Sequence, residues 1–177
     1  IIFVSYLSIY GLKTDRFNNF INSKAKEYNP KLSIKLEEVF IKLKINQTSI
    51  NINAKDANFI AGINNIKISN IDINLNIIDF IKRENSIKNI KIQSNKNSIK
   101  EVTSFLNTLD YNLSRYIFYS QIQKGLINFE INTNFKSKNQ NNFSYEVSGE
   151  VKNAKFNLIG FNSLDKINFD FKIKDHL

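Results

Sequence analysis

The stretch Leu32–Leu75, LSIKLEEVFIKLKINQTSININAKDANFIAGINNIKISNIDINL, alternates apolar and polar residues along most of its length. A period of two places successive side chains on opposite faces of a β-strand. The polar positions hold mostly Lys, Asn, Ser, Asp and Gln. The pattern therefore predicts strands of a sheet that has one apolar face and one solvated face.

The alternation changes phase across Glu37–Glu38, across Ser69–Asn70 and across Lys152–Asn153. A shift of one residue turns every later side chain to the other face unless a bulge or a turn resets it. We therefore expect bulges or tight turns at these places. Gly62 and the Asn64–Asn65 pair predict a further turn.

Outside this stretch, the same period recurs in residues 87–92, 127–135, 143–151 and 167–173. A polar segment, 136–142, predicts the turn between two of these strands. The chain thus supplies enough antiparallel strands for one large meander.

Helical spacing of apolar residues occurs in three other places. A short amphipathic helix is predicted near 15–28, ending at Asn29–Pro30 because the residue before a proline leaves the helical region. A single helical turn is predicted at 77–81. A helical insertion is predicted near 98–119, with Gly125 as its terminating glycine.

The predicted fold class is therefore mainly β with minor α. We expect a curved antiparallel sheet, a repeating β-groove, with an N-terminal amphipathic helix and a helical insertion. The predicted organisation is an anchor segment at 1–13 and a groove domain at 14–177.

Residues Ile1–Leu12, IIFVSYLSIYGL, carry no charge and are mostly large and apolar. A helix needs about 20 residues to cross a bilayer, so this segment is too short by itself. Because position 1 is not Met, we expect the chain to be cut from a longer product. The segment then reads as the outer end of a signal anchor, with Tyr6 and Tyr10 at interface depth. An ordinary N-terminal strand or buried helix is the alternative.

The chain carries 25 Lys and Arg against 16 Asp and Glu, a net charge of +9. Such a balance is common in proteins that bind nucleic acid or anionic lipid. Here the lysines occur singly within strands, as at Lys35, Lys67 and Lys91, rather than in a cluster. This spacing favours a solvated sheet face and gives no support for a nucleic-acid partner.

Residues capable of covalent chemistry are scarce. There is no cysteine, and His176 is the sole histidine, so Ser-His-Asp, Cys-His and multi-histidine metal sites are excluded. Glu37 and Glu38 are adjacent and would point to opposite faces of a strand. None of the five glycines has phosphate-cradling spacing. We therefore predict no enzyme activity, no catalytic residue, no cofactor and no metal.

The order of these elements resembles the N-terminal region of AsmA-like proteins, including the TamB and YhdP branches, and is most similar to the large YhdP-type members. The segments that carry the likeness are VSGEV at 147–151 with KNAKF at 152–156, and IKISNIDI at 66–73 leading into IIDFI at 77–81. The likeness extends over essentially all 177 residues. It is a likeness of pattern, and the family offers no catalytic residues to carry over.

The resemblance implies a long curved sheet, anchored in the bacterial inner membrane by a single N-terminal pass and projecting into the periplasm. Its apolar face would conduct phospholipid acyl chains between the inner and outer membranes. A further outer-membrane or periplasmic protein partner would bind through a C-terminal part beyond this chain.

Apolar positions of the predicted strands are the candidate lining of the groove. They are Ile34, Leu36, Ile41, Leu43, Ile50, Ile52, Ile66, Ile68, Ile71, Ile73, Leu75, Ile90, Ile92, Phe129, Ile131, Val147, Val151, Phe169 and Phe171.

A second interpretation of the same pattern is a structural β-module that serves as a scaffold or partner-binding domain. In that case the apolar face would be closed by its own helices or by a second sheet. The two predicted helical regions are few for so many strands, which favours the open groove.

Overall fold

In the computed structural model, the chain forms a single curled sheet with a few helices. The residues described are 2–15, 17–82, 84, 86–135, 143–157 and 163–176. Strands make up 60% and helices 26% of the structure, and the sheet stays open. The predicted fold class, a mainly antiparallel β-sheet with minor α, is confirmed.

Five α-helices, one 3₁₀ helix (Ile45–Gln47) and ten strands occur in the described residues. The helices are α1 (Ile2–Ile9), α2 (Phe17–Tyr28), α3 (Ile77–Ile81), α4 (Ile99–Leu109) and α5 (Leu113–Ser120). The strands are β1 (Leu12–Thr14), β2 (Leu32–Lys35), β3 (Glu38–Lys44), β4 (Ser49–Ala61), β5 (Asn64–Asn76), β6 (Ile87–Ser94), β7 (Asn97–Ser98), β8 (Ile122–Phe135), β9 (Phe143–Phe156) and β10 (Leu164–His176).

All strands belong to one antiparallel sheet in the order β1-β3-β4-β5-β6-β8-β9-β10. The short strands β2 and β7 pair with β4 and β8 respectively. Hairpins join β3 to β4 and β4 to β5, the second of them through the turn Gly62–Ile63. The helices α4 and α5 are inserted between β7 and β8.

Cross-strand pairing assembles the apolar face in rows. One row crosses seven strands through directly opposed residues, which lie on the same face of an antiparallel sheet. Its members are Val39, Ala54, Ile71, Ile92, Ile131, Val147 and Ile173. Every position in this row is apolar, so the alternation seen in separate segments of sequence becomes one continuous surface.

The predicted phase changes coincide with irregularities of the sheet. β2 ends at Lys35 and β3 begins at Glu38, yet both pair with β4. The break faces Asp56 of β4, which has a φ of 51°. On β5, the register shifts between Ile68 and Asn70. The bulge at Asp56 restores the phase of β4. Ala54 before it and Ala57 after it are three residues apart, yet both are buried on the apolar face.

The helix α4 covers part of the apolar face, packing on β5 and β8. It begins with a reciprocal cap in which the Ser98 N–H donates to Glu101 Oε2 at 3.3 Å. Val102 and Phe105 of α4 join the main core cluster with residues of β4 and β5. A second, smaller cluster contains Ile99 and Ile122 with Val151 and Ala154.

The helix α2 lies along β2 at the edge of the sheet. Its Asn22 Oδ1 accepts a hydrogen bond from the Ile34 N–H at 2.9 Å. At its end, Asn29 Nδ2 donates to the Leu109 carbonyl at 3.3 Å. These bonds tie α2 both to the sheet and to the C-terminal end of α4.

The prediction that Gly125 terminates the helical insertion was wrong. The helix α5 ends at Ser120, and Gly125 lies inside β8 with a φ of 141°. A Cβ there would lie 2.6 Å from Ile99 Cδ1 and 3.0 Å from Ala154 Cα. Gly125 is thus required by close packing between β8, β9 and α4, and not by a helix cap.

The predicted boundary between anchor and groove falls inside the first strand. Leu12–Thr14 pair with β3, Leu12 opposite Ile41 and Thr14 opposite Val39. Among the described residues, no helix is both long and apolar enough to span a membrane. The predicted turn at 136–142 lies outside the described residues.

Candidate functional site

An apolar cavity of about 460 Å³ lies between α4 and the sheet. Its walls come from β2, β4, β5, β6, β8, β9 and β10, and its roof comes from α4. All lining side chains are apolar. They are Leu32, Phe59, Ile66, Ile68, Ile92, Val102, Phe105, Leu106, Leu109, Ile127, Phe129, Ile131, Val147 and Phe171. Cavities that bind small molecules typically measure about 300–1,000 Å³, so this one has the volume of a ligand site.

Seven of the candidate lining residues border this cavity, and all nineteen lie on the apolar face. The seven are Ile66, Ile68, Ile92, Phe129, Ile131, Val147 and Phe171. Leu36 and Ile71 are buried in the main core, against which Ile34, Ile52 and Ile73 pack. Leu75 is buried, Val151 belongs to the second cluster, and Ile41, Leu43, Ile50 and Ile90 are half-buried. Phe169 is the most exposed of the set, at 43%. Their role in binding lipid stays a prediction.

Seven lining residues were not among the candidates. Four of them, Val102, Phe105, Leu106 and Leu109, form the roof on α4. Their helical spacing predicted a helical insertion near 98–119 and did not indicate that this helix would line a cavity. The others are Leu32, Phe59 and Ile127. Phe59 follows the Asp56 bulge, where simple alternation gives the wrong face.

Beyond the edge of α4, the apolar face continues as a half-buried surface. Directly opposed residues extend it across β3, β4, β5 and β6, namely Ile41, Ile52, Ile73 and Ile90. The row becomes more polar at β8 and β9, where Thr133 and Tyr145 continue it. The cavity therefore adjoins a wider apolar surface on the same sheet.

The opposite face of the sheet is polar and hydrogen-bonded across strands. Asn51 Nδ2 donates to Asn74 Oδ1 at 3.0 Å, and Asn74 Nδ2 donates to Asn89 Oδ1 at 2.8 Å. Asn53 Nδ2 donates to Asp72 Oδ1 at 2.8 Å. Such amide ladders satisfy polar groups and stabilise neighbouring strands. The sheet is consequently two-faced, with an amide-rich side opposite the apolar cavity.

Glu130 is the centre of a polar network on β8. Its carboxylate accepts hydrogen bonds of 2.8 Å from Asn132 Nδ2 and Gln93 Nε2, and Lys91 Nζ lies 2.9 Å away. The hydrogen bond from Asn132 is the largest of the effects that hold the pKa of Glu130 below its ordinary value of 4.5; the bonds from Lys91 and Gln93 act the same way. The network joins β6 and β8 on the polar face.

This network predicts a specific pH dependence. A carboxyl whose pKa is lower in the folded than in the unfolded protein stabilises the fold above the unfolded pKa. That contribution is lost as the pH falls from 4.5 through the lowered pKa. We expect Glu130→Gln to reduce the free energy of unfolding at neutral pH, and this difference from wild type should shrink below pH 4.5. Urea unfolding at several pH values measures it, and a difference independent of pH would contradict the account.

The site is an apolar cavity whose lining offers contacts to a ligand rather than groups for covalent chemistry. Within the described part of the chain, no group of three or more His, Cys, Asp or Glu residues could hold a metal ion. The cavity presents no polar group for orienting a reacting atom. Its lining suits a flexible apolar molecule held by dispersion and exclusion of water.

Comparison of the chain with protein-family models, with curated proteins and with solved structures found no match. The likeness to AsmA-like proteins therefore rests on the order and pattern of the elements alone.

Proposed function

We propose that this chain is a non-enzymatic lipid-transfer module whose apolar sheet face binds phospholipid acyl chains. In the proposed setting it is held at the bacterial inner membrane by its N-terminal segment, with its bulk in the periplasm. It would pass lipid along the sheet toward the outer membrane. The observation that carries the proposal is the apolar cavity beneath α4.

The chemistry of the cavity favours an acyl chain over other small ligands. A ligand with hydroxyl, amide or charged groups would lose its hydrogen bonds to water without replacement, a cost of about 1–3 kcal/mol or more per group. A hydrocarbon chain loses nothing of this kind and gains from the burial of its own surface.

The surface next to the cavity supports transfer rather than storage. Half-buried isoleucines such as Ile52 and Ile73 extend the apolar face beyond α4. An acyl chain leaving the cavity would therefore meet further apolar surface instead of water. The resemblance to AsmA-like proteins implies the same mode of action, in which one sheet face conducts lipid.

A single substitution in the cavity tests the proposal. Val147 lines the cavity, and Ser148 is the next residue on the same strand with its side chain on the opposite face. We expect the wild-type chain, purified from bacterial membranes in mild detergent, to carry phospholipid in native mass spectrometry and lipid extraction. The larger ring of Val147→Phe should fill the cavity and remove most of that lipid, while Ser148→Phe should retain it.

A second candidate function is the closed structural module. It is favoured by one observation, the packing of α4 over the apolar face through Val102 and Phe105. A wild-type chain that is lipid-free and remains folded without detergent would support that module and overturn lipid binding. Equal lipid loss from both phenylalanine variants would also contradict binding in this cavity.

A further inference from the structure

The short helix α3 presents large apolar side chains to solvent at one end of the sheet. Ile78 is 51% exposed, Phe80 is 53% exposed and Ile81 is 73% exposed. Single exposed apolar residues are ordinary on protein surfaces. Three within one five-residue helix form a patch, and patches of this kind commonly mark interaction sites.

This helix is held in place by the structure around it. Asn76 Oδ1 accepts a hydrogen bond from the Ile78 N–H at 2.9 Å and caps the helix. The Ile77 N–H donates to the Thr48 carbonyl at 3.1 Å. That bond fixes α3 beside the turn between β3 and β4, where Ile45 is 54% exposed. The α3 patch, defined as Ile45, Ile78, Phe80 and Ile81, is therefore built by two adjoining segments.

Lysines outnumber carboxylates around the α3 patch. The described residues of 42–47 and 77–88 include four lysines, at positions 42, 44, 82 and 88, against Asp79 and Glu84. The whole chain has a net charge of +9. The patch thus combines apolar side chains with a local positive charge.

The combination of apolar side chains and lysines at the α3 patch favours a bilayer over a protein as its partner. Lysine is depleted in the cores of protein–protein interfaces. Segments that lie on membranes, in contrast, pair Phe and aliphatic side chains with lysines that attract anionic headgroups. The N-terminal helix α1 lies toward the same end of the sheet. Because β1 and β3 are antiparallel and Leu12 is opposite Ile41, the chain before Leu12 runs in the direction of Lys44.

We propose that the α3 patch docks on the surface of an anionic phospholipid bilayer. Ile78, Phe80 and Ile81 would lie at the boundary between headgroups and acyl chains, about 5–10 Å deep. Lys42 and Lys44 at the end of β3, Lys82 after α3 and Lys88 at the start of β6 would contact the phosphates. This contact is separate from the acyl-chain cavity and does not depend on lipid transfer.

The opposite end of the sheet offers a matched control. Ile63 in the β4–β5 turn is fully exposed, and Tyr28 at the end of α2 is 91% exposed. There, however, Lys26 and Lys31 are accompanied by Glu27 and Asp110. If exposed apolar surface alone governed binding, this end would bind at least as well as the α3 patch.

The absence of tryptophan from the chain permits a site-specific test. The full chain carrying Phe80→Trp, and separately Ile63→Trp, is mixed with vesicles of phosphatidylglycerol or of phosphatidylcholine. We expect the emission of Phe80→Trp to shift to the blue with phosphatidylglycerol and to lose most of its intensity when the acyl chains are brominated. Ile63→Trp should keep its water-like emission, and phosphatidylcholine should have little effect on either variant.

Three results would overturn docking through α3. One is an unchanged Phe80→Trp spectrum with phosphatidylglycerol, whether or not the chain co-sediments with the vesicles. Another is equal quenching of both tryptophans, and the third is equal response to both lipids. Because the readout is local to position 80, loss of lipid from the cavity would leave it unaffected, so the two proposals fail separately.

Discussion

Replacing Phe105 by alanine is expected to lower the free energy of unfolding by about 3–5 kcal/mol. Phe105 is only 5% exposed and belongs to the main core cluster with Ile66 and Ile68. The substitution removes a ring that joins α4 to the sheet and enlarges the space beneath the helix. The transfer cost of the lost atoms and the cost of the enlarged cavity act in the same direction. Urea unfolding followed by circular dichroism measures the loss.

The neighbouring residue supplies the control for this prediction. Leu106 lies on the same helix at the rim of the cavity and is 39% exposed. Because much of its side chain already contacts solvent, Leu106→Ala should cost about 1 kcal/mol or less. Equal destabilisation by the two variants would contradict the orientation of α4 described above.

The strands could be predicted from sequence because their signal is local. Alternation is a property of consecutive residues, and it identified the sheet and its apolar face from Leu32 onward. The phase changes at Glu37–Glu38 and Ser69–Asn70 were equally visible. The sequence did not show which side of each segment joins the apolar face. That depends on where bulges such as the one at Asp56 align across neighbouring strands.

Gly125 shows where a local rule fails. A glycine after a helical segment commonly marks its end, and that rule misplaced the end of α5. The true reason for the glycine is the close approach of Ile99 and Ala154. Both are distant from it in sequence, so no local pattern contains the information.

The candidate site was predictable in part for the same reason. Wall residues such as Ile131 and Val147 follow from alternation, whereas the roof requires knowing which strands α4 crosses. The spacing of Val102, Phe105 and Leu109 predicts an amphipathic helix. It does not reveal that these side chains face Ile68, Phe129 and Phe171 across a cavity.

Replacing Asn97 by alanine is expected to cost about 2–3 kcal/mol, since it leaves the Lys67 N–H without its hydrogen-bond partner and removes one of the two donors to the Lys67 carbonyl. Asn97 is 3% exposed. Its Oδ1 accepts from the Lys67 N–H at 2.8 Å, and its Nδ2 donates to the carbonyls of Lys67 at 3.0 Å and Asn95 at 2.8 Å. This one amide completes the edge of β5 where β6 ends and β7 begins. In an Asn-rich chain, nothing in the sequence separates it from its surface counterparts.

Asn89 provides the comparison that isolates burial as the cause. It accepts a cross-strand hydrogen bond from Asn74 Nδ2 at 2.8 Å but is only half-buried, so water can replace the lost amide. We expect Asn89→Ala to cost about 0.5–1.5 kcal/mol. Amide hydrogen exchange gives an independent readout. The exchange rate of the Lys67 N–H should rise in Asn97→Ala and stay at its wild-type value in Asn89→Ala. Similar costs for the two variants, with a protected Lys67 amide, would mean that Asn97 contributes no more than a surface amide and that the β5 edge is held by backbone pairing alone.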